Sequence, residues 1–157
     1  MSVGPSRSIS ELLCTLALWG AGVLFSLNVA NVAVGVLLRY FLGGAPFWTE
    51  ELSRFLLIWA VFLAGAPALR LGDHMAMGFL SRRFGVLSAP ISAAKDASVV
   101  VVLSLCVVQG FRHALENHIF RTMGLGIPKS VPLMAVPVGS ALMLAVYLLE
   151  RAYGEAR

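Results

Sequence analysis

The sequence predicts an all-α integral membrane protein with four transmembrane helices, and three observations support this fold class. Hydrophobic residues make up 59% of the chain and charged residues only 13%, whereas soluble domains have about 45–50% and about 25%. Several apolar runs approach or exceed the roughly 18 residues needed to cross the hydrocarbon of a bilayer. The basic residues lie mainly in short connections between these runs, which is typical of a membrane topology.

The predicted spans cover residues 12–38, 52–69, 97–115 and 131–149. The first has no charged residue and is too long for the apolar region of a secretory signal peptide, which holds about 7–15 residues. The second contains Arg54. The third is the least clearly defined span, because Arg112 and His113 lie near its end. The fourth contains Pro137, a kink that membrane helices tolerate. We treat residues 1–157 as a single four-helix membrane domain.

Asn28 and Asn31 lie three residues apart on one face of the first predicted helix. Hydrocarbon offers an amide no hydrogen-bond partner, so we expect this face to contact another helix. A position near the lipid headgroups is the alternative explanation. The prediction is that both asparagines mediate helix contacts inside the membrane.

Glycines and a proline at residues 43–46 predict a tight turn at the membrane surface between the first two spans. Thr49 is expected to be the N-cap of the second helix, which would put Glu50 and Glu51 in its positive first turn. Arg54 follows Glu50 by four residues, so these two side chains can meet on one face of the helix. We therefore predict an ion pair near the membrane interface.

The connection between the second and third spans contains a candidate interfacial helix. Its apolar positions recur at helical spacing, at Met77, Leu80, Phe84 and Leu87. This pattern, opposite Arg82, predicts a short helix lying on the membrane at about residues 74–87. An ordinary basic loop is the alternative, because Phe79 and Gly85 interrupt the apolar stripe.

The distribution of positive charge predicts the orientation of the spans. With the N-terminus inside, the cytoplasmic segments carry Arg7, Arg70, Arg82, Arg83, Lys95, Arg151 and Arg157, and the opposite side carries Arg39, Arg54, Arg112, Arg121 and Lys129. Cytoplasmic loops are enriched in lysine and arginine, so this distribution favours cytoplasmic termini.

The sequence lacks the residue patterns of an enzyme, a metal protein or a nucleic-acid-binding protein. No nucleophile with its base and no converging pair of carboxylates is visible. Cys14 and Cys106 lie in apolar runs, and the spacing of His113, Glu116 and His118 is not that of a zinc-binding helix. The net charge of +4 comes without a basic face interleaved with aromatics. We predict no catalysis, no metal, no cofactor and no nucleic acid.

The predicted spans also lack a charged residue near their centres. A transporter that couples an ion gradient by itself needs ionisable or coordinating groups near the midplane. We therefore predict that the chain assists another protein. A stand-alone four-helix transporter acting as a homodimer is the alternative, but such transporters rely on an embedded carboxylate, and Glu50 and Glu51 lie at an edge.

Two sequence patterns carry a resemblance to a known family. Charged and aromatic residues at fixed spacing occur at Arg39, Trp48, Glu50, Glu51, Arg54, Trp59, Arg70 and His74, and a proline pattern follows at Pro128, Pro132 and Pro137. Together with four spans, they resemble the small membrane subunit of tripartite ATP-independent periplasmic (TRAP) transporters, the DctQ-like family. The resemblance covers nearly the whole chain.

The resemblance implies a non-catalytic scaffold in the bacterial inner membrane. In that family a large permease subunit carries the substrate and sodium sites, and a periplasmic binding protein delivers a small organic acid. The candidate interface residues are Arg39, Trp48, Glu50, Glu51, Arg54, Trp59, Arg70 and His74. The Glu50 and Arg54 pair is expected to fix the depth of the second helix and to meet the large subunit, and Arg39, Arg70 and His74 to contact lipid headgroups or the partner. Trp48 is expected to anchor at the interface and the deeper Trp59 to pack on a helix, with plain membrane anchoring as the alternative for each.

Overall fold

The computed structural model describes residues 5–44, 46–84 and 88–154, with side chains for residues 10–41, 43–44, 46–71 and 93–152. The helices are α1 (Pro5–Leu42), α2 (Phe47–Phe84), α3 (Ser88–Glu116), α4 (Ser130–Leu133) and α5 (Ala135–Gly154). Within these ranges there is no strand, and Arg121 and Pro128 form an isolated bridge. The all-α prediction is confirmed.

Among the described residues, four helical stretches are long and apolar enough to cross a membrane. They are Ser10–Phe41 in α1, Phe47–Leu71 in α2, Ala93–Glu116 in α3 and Ser130–Ala152 in α4 and α5. Each encloses the corresponding predicted span, and each adds a few residues at its ends. The added residues are mostly polar or aromatic, as expected where a helix leaves the hydrocarbon.

The four spans form a bundle in which α5 is the central helix. α1 packs mainly beside α2, and α5 packs against α2 and α3 with a smaller contact to α1. Of the apolar window of the first span, only 6% is buried within the chain, against 39% for the fourth. The surface of α1 is therefore largely left to lipid or to another protein.

Small residues allow the helices of this bundle to approach closely. Cys14 of α1, Ala66 of α2 and Val146 of α5 are buried together in the core. A β-carbon on Gly139 of α5 would lie 2.5 Å from Cβ and 2.9 Å from the carbonyl oxygen of Phe62. The contact between α2 and α5 therefore requires glycine at this position, in keeping with the use of small residues where membrane helices meet.

The segment that follows the second span continues α2 without a break as far as Phe84. The prediction of a separate interfacial helix therefore differs from the structure, in which residues 74–84 belong to α2 and residues 85–87 lie outside the described residues. No proline follows Pro67 in this helix, so every later backbone N–H can donate to a helical hydrogen bond.

The fourth span is interrupted at Met134, one turn before Pro137. α4 ends at Leu133 and α5 begins at Ala135, so Pro137 lies in the first turn of α5 and not in the middle of the span. Proline has no N–H to donate to the carbonyl of Leu133, and it is well tolerated in the first turn of a helix. The interruption before Ala135 removes the cost of a proline in the helix interior.

Candidate functional site: the polar ends of the bundle

The charged residues of the described chain lie at two ends of the bundle. The loop end contains the turn between α1 and α2 and the connection between α3 and α4, at residues 117–129. The network end contains Glu11, Arg70, Asp96, Glu150 and Arg151. Both the start of the first span and the end of the fourth lie at the network end, because Arg70 contacts Glu11 and Glu150.

At the loop end, Asn31 joins α1 to the beginning of α2. Its buried amide nitrogen Nδ2 lies 2.8 Å from the carbonyl oxygen of Thr49 and 2.8 Å from Oγ of Ser53. Asn28 is half-buried, and its Oδ1 has no hydrogen-bond partner among the described residues. The two asparagines thus differ, because Asn31 donates to polar groups of α2 and no hydrogen bond of the Asn28 oxygen is found among the described residues.

Thr49 does not cap α2 as predicted, because the helix begins two residues earlier, at Phe47. Its hydroxyl donates to the carbonyl oxygen of Pro46 at 2.7 Å, whereas an N-cap side chain accepts from a backbone N–H. Thr49 is buried, and a β-carbon on Gly35 of α1 would lie 3.5 Å from its Cβ. Thr49 therefore contributes to the packing of α1 on α2.

Glu51 binds the connection between α3 and α4. Its Oε2 accepts hydrogen bonds from the backbone nitrogens of Gly124, at 3.0 Å, and Leu125, at 2.9 Å. A β-carbon on Gly124 would lie 3.0 Å from that oxygen and 3.1 Å from the backbone carbon of Phe47. The carboxylate therefore anchors residues 117–129 to α2, and sequence spacing gave no sign of this contact.

The predicted ion pair between Glu50 and Arg54 is replaced by a contact between helices. Oε1 of Glu50 lies 3.9 Å from Nη2 of Arg39, and both side chains are mostly exposed. The end of α1 lies beside the start of α2, so Arg39 competes with Arg54 for the carboxylate. Within the described residues, Arg54 forms no ion pair.

Arg39 and Arg54 line one cavity at the loop end. The cavity has a volume of about 420 Å³, and its walls are Val32, Gly35, Val36, Arg39, Thr49, Glu50, Ser53 and Arg54. Two of its charged groups are cations and one is an anion. The walls are apolar along α1 as far as Val36 and become polar at Arg39.

At the network end, two groups of ion pairs connect the four spans: one joins α1, α2 and α5, and the other joins α3 and α5. Arg70 of α2 contacts Glu11 of α1 at 3.6 Å and Glu150 of α5 at 2.5 Å. Asp96 of α3 forms an ion pair with Arg151 and accepts a hydrogen bond from the hydroxyl of Tyr147 at 2.5 Å. Neither Asp96 nor Tyr147 was predicted from the sequence. The four-residue spacing of Tyr147 and Arg151, which puts both on one face of α5, was the available signal.

Of the remaining candidate interface residues, the structure describes the side chains of Trp48 and Trp59 but not that of His74. Trp48 is 38% exposed at the loop end, and Trp59 is half-buried further along α2. The side chain of His74 lies outside the described side chains. Exposed apolar side chains surround the loop end, at Tyr40, Phe41, Phe47, Ile119, Phe120 and Met123. Such a belt, rich in aromatic residues, is typical of a membrane–water interface.

Comparison with known proteins identifies the family. The model of the DctQ component of tripartite ATP-independent periplasmic transporters matches residues 28–157, which is most of the chain. The chain belongs to the DctQ family. A curated relative is the sialic acid TRAP transporter small permease protein SiaQ of Vibrio cholerae serotype O1, with 29% identity over 109 residues. This alignment covers 68% of the chain and 62% of the relative.

Membership of the DctQ family makes the chain a small permease subunit of a TRAP transporter and a multi-pass membrane protein. The match begins at Asn28, so it includes both asparagines and every candidate interface residue between Arg39 and His74. The loop end and most of the network end also lie within it. The resemblance predicted from the sequence patterns is confirmed.

Proposed function

We propose that this DctQ subunit is a non-catalytic scaffold for a large permease subunit in the bacterial inner membrane. In the proposed system, a periplasmic binding protein delivers a small organic acid, and the large subunit imports it with a sodium gradient. The Vibrio relative is named as a subunit of a sialic acid transporter, and sialic acid is a small organic acid. The chain spans about three-fifths of that relative, 62% of its length.

The observation that carries this proposal is the absence of ionisable side chains from the middle of the spans. Residues 12–38, 55–69, 97–111 and 130–149 contain no Asp, Glu, Lys, Arg or His. Coupling a solute to an ion gradient needs coordinating or ionisable groups near the bilayer centre. The acidic and basic groups of this chain are instead at the ends, where several of them join helices to one another.

The proposed orientation has the network end in the cytoplasm and the loop end in the periplasm. The bias of lysine and arginine supports cytoplasmic termini, and the ion pairs of Arg70 support both termini being on one side. Glu51 and Arg70 are engaged within the chain. Of the candidate interface residues with described side chains, four have exposed side chains and are therefore available to the permease: Arg39, Trp48, Glu50 and Arg54.

Reconstitution into liposomes tests the scaffold function. We expect labelled organic acid to accumulate under an inward sodium gradient only when the chain, its large permease and the binding protein are all present. Sialic acid is a suitable first substrate. Accumulation by liposomes that contain the chain alone would contradict the proposal and would favour the homodimeric transporter. Normal uptake by the large permease and binding protein without the chain would also contradict it.

A further inference from the structure

We propose that the cavity between α1 and α2 at the loop end binds the phosphate headgroup of an anionic phospholipid. The cavity holds about 420 Å³, within the usual size range of small-molecule sites. Its two arginines, Arg39 and Arg54, supply the cationic groups, and Val32 and Val36 supply an apolar wall. The proposal needs only this chain and does not depend on the scaffold function.

The charge of the cavity favours an anionic ligand. Arg39 contacts Glu50 at 3.9 Å, and both side chains are mostly exposed to solvent. Arg54 forms no ion pair among the described residues. The lining therefore carries one more positive than negative charge. Guanidinium groups match the oxygens of a phosphate in geometry as well as in charge, and they donate more than one hydrogen bond to it.

The depth of Arg54 favours a ligand that comes from the membrane. Arg54 lies seven residues into the span Phe47–Leu71, which corresponds to about 10 Å along the helix. An arginine at the edge of the hydrocarbon is costly unless its head reaches the interface or meets a counterion. A lipid phosphate at headgroup level supplies that counterion.

The shape of the lining favours an amphiphile over a small soluble anion. Val32, Val36 and Arg39 follow one another along one face of α1 and all line the cavity. From Val32 to Arg39 the wall changes from apolar to charged over about 10 Å of helix. An acyl chain against the valines would put the phosphate beside the arginines, whereas inorganic phosphate would leave the apolar wall unused.

Native mass spectrometry of the purified chain tests the proposal. The probes are phosphatidylglycerol and phosphatidylcholine with the same acyl chains, added in detergent, with inorganic phosphate as a competitor. We expect the wild type to retain phosphatidylglycerol in preference to phosphatidylcholine. Arg54→Gln should reduce that retention about fivefold, the effect of removing one basic contact to an anionic lipid.

Two variants serve as controls. Arg54→Lys keeps the positive charge and should retain most of the lipid. Arg112→Gln removes an exposed arginine at the same end of the bundle, on α3 and outside the cavity, and should retain the lipid as the wild type does. Loss of binding in Arg112→Gln equal to that in Arg54→Gln would mean that overall charge decides retention, which would overturn the proposal.

Three other outcomes would overturn it. The first is equal retention of the two lipids by the wild type. The second is displacement of phosphatidylglycerol by an equal concentration of inorganic phosphate, which would assign the cavity to a soluble anion. The third is full lipid retention by Arg54→Gln together with reduced recovery of a co-expressed large permease, which would assign the cavity to a protein partner.

Discussion

Oε2 of Glu51 lies 3.0 Å from the backbone nitrogen of Gly124, a residue 73 positions away in the sequence. The same oxygen accepts a hydrogen bond from Leu125 at 2.9 Å. A carboxylate that accepts from backbone N–H groups forms stronger bonds than a neutral acceptor does. This contact holds the connection between α3 and α4 against the start of α2, and it explains why two adjacent glutamates have different surroundings.

Removing the carboxylate should release the connection at residues 117–129. We expect Glu51→Ala to speed tryptic cleavage after Arg121 and Lys129 severalfold, because the backbone of Gly124 and Leu125 loses its acceptor. Glu51→Gln should have a smaller effect, since its amide oxygen can still accept hydrogen bonds. Cleavage rates of the purified protein in detergent provide the measurement. Glu50→Ala is the control and should leave the cleavage rates unchanged. Equal cleavage rates in Glu50→Ala and Glu51→Ala would contradict the prediction.

Gly139→Ala should destabilise the contact between α2 and α5. The new β-carbon would meet the backbone of Phe62 at 2.9 Å, and backbone cannot move aside as a side chain can. Overpacking of this kind costs about 1–3 kcal/mol, measurable as a lower Tm in detergent. The control is Gly22→Ala on α1, where nothing lies within 4 Å of the added carbon. Its Tm should be unchanged or slightly higher, because alanine is the better helix former.

The two asparagines of α1 should respond in opposite ways to the same substitution. Asn31→Leu removes hydrogen bonds to Thr49 and Ser53, and we expect a loss of about 1 kcal/mol, typical of polar contacts between membrane helices. Asn28→Leu removes a buried oxygen that has no partner among the described residues, so stability should be equal or higher. Urea or thermal unfolding of both variants measures this, and a larger loss for Asn28→Leu would contradict it.

Arg70 should matter more for stability than an exposed arginine does. Its guanidinium contacts Glu11 and Glu150, and the Arg70 and Glu150 side chains are only 23% and 28% exposed. Arg70→Met leaves the half-buried carboxylate of Glu150 without this cation, and we expect a loss of about 1–3 kcal/mol. The double variant Arg70→Met with Glu150→Met should recover part of the loss, since a partly buried pair can be replaced by apolar groups.

Thermal unfolding of the single variants, the double variant and Arg112→Met measures this coupling. Arg112 is exposed at the opposite end of the bundle, so its substitution should change the Tm little. Strictly additive losses for Arg70 and Glu150 would mean that the ion pair contributes no coupling energy.

The four spanning helices and the membrane location follow from the sequence alone. An apolar run such as residues 12–38 is a local feature, and hydrocarbon excludes unpaired backbone groups, so such a run has few alternatives to a spanning helix. The confinement of charges to the ends of the spans is equally readable, because it depends only on their positions along the chain. The family pattern between Arg39 and His74 could be recognised for the same reason.

The partners of those charges depended on the tertiary structure. Spacing along one helix predicted that Glu50 meets Arg54, but the turn between α1 and α2 brings Arg39 to Glu50 instead. Glu51 and Gly124 are joined only because the start of α2 and the connection after α3 lie at the same end of the bundle. Sequence spacing reports neighbours within a helix, whereas these contacts are set by helix packing, which brings residues together regardless of their separation in the chain.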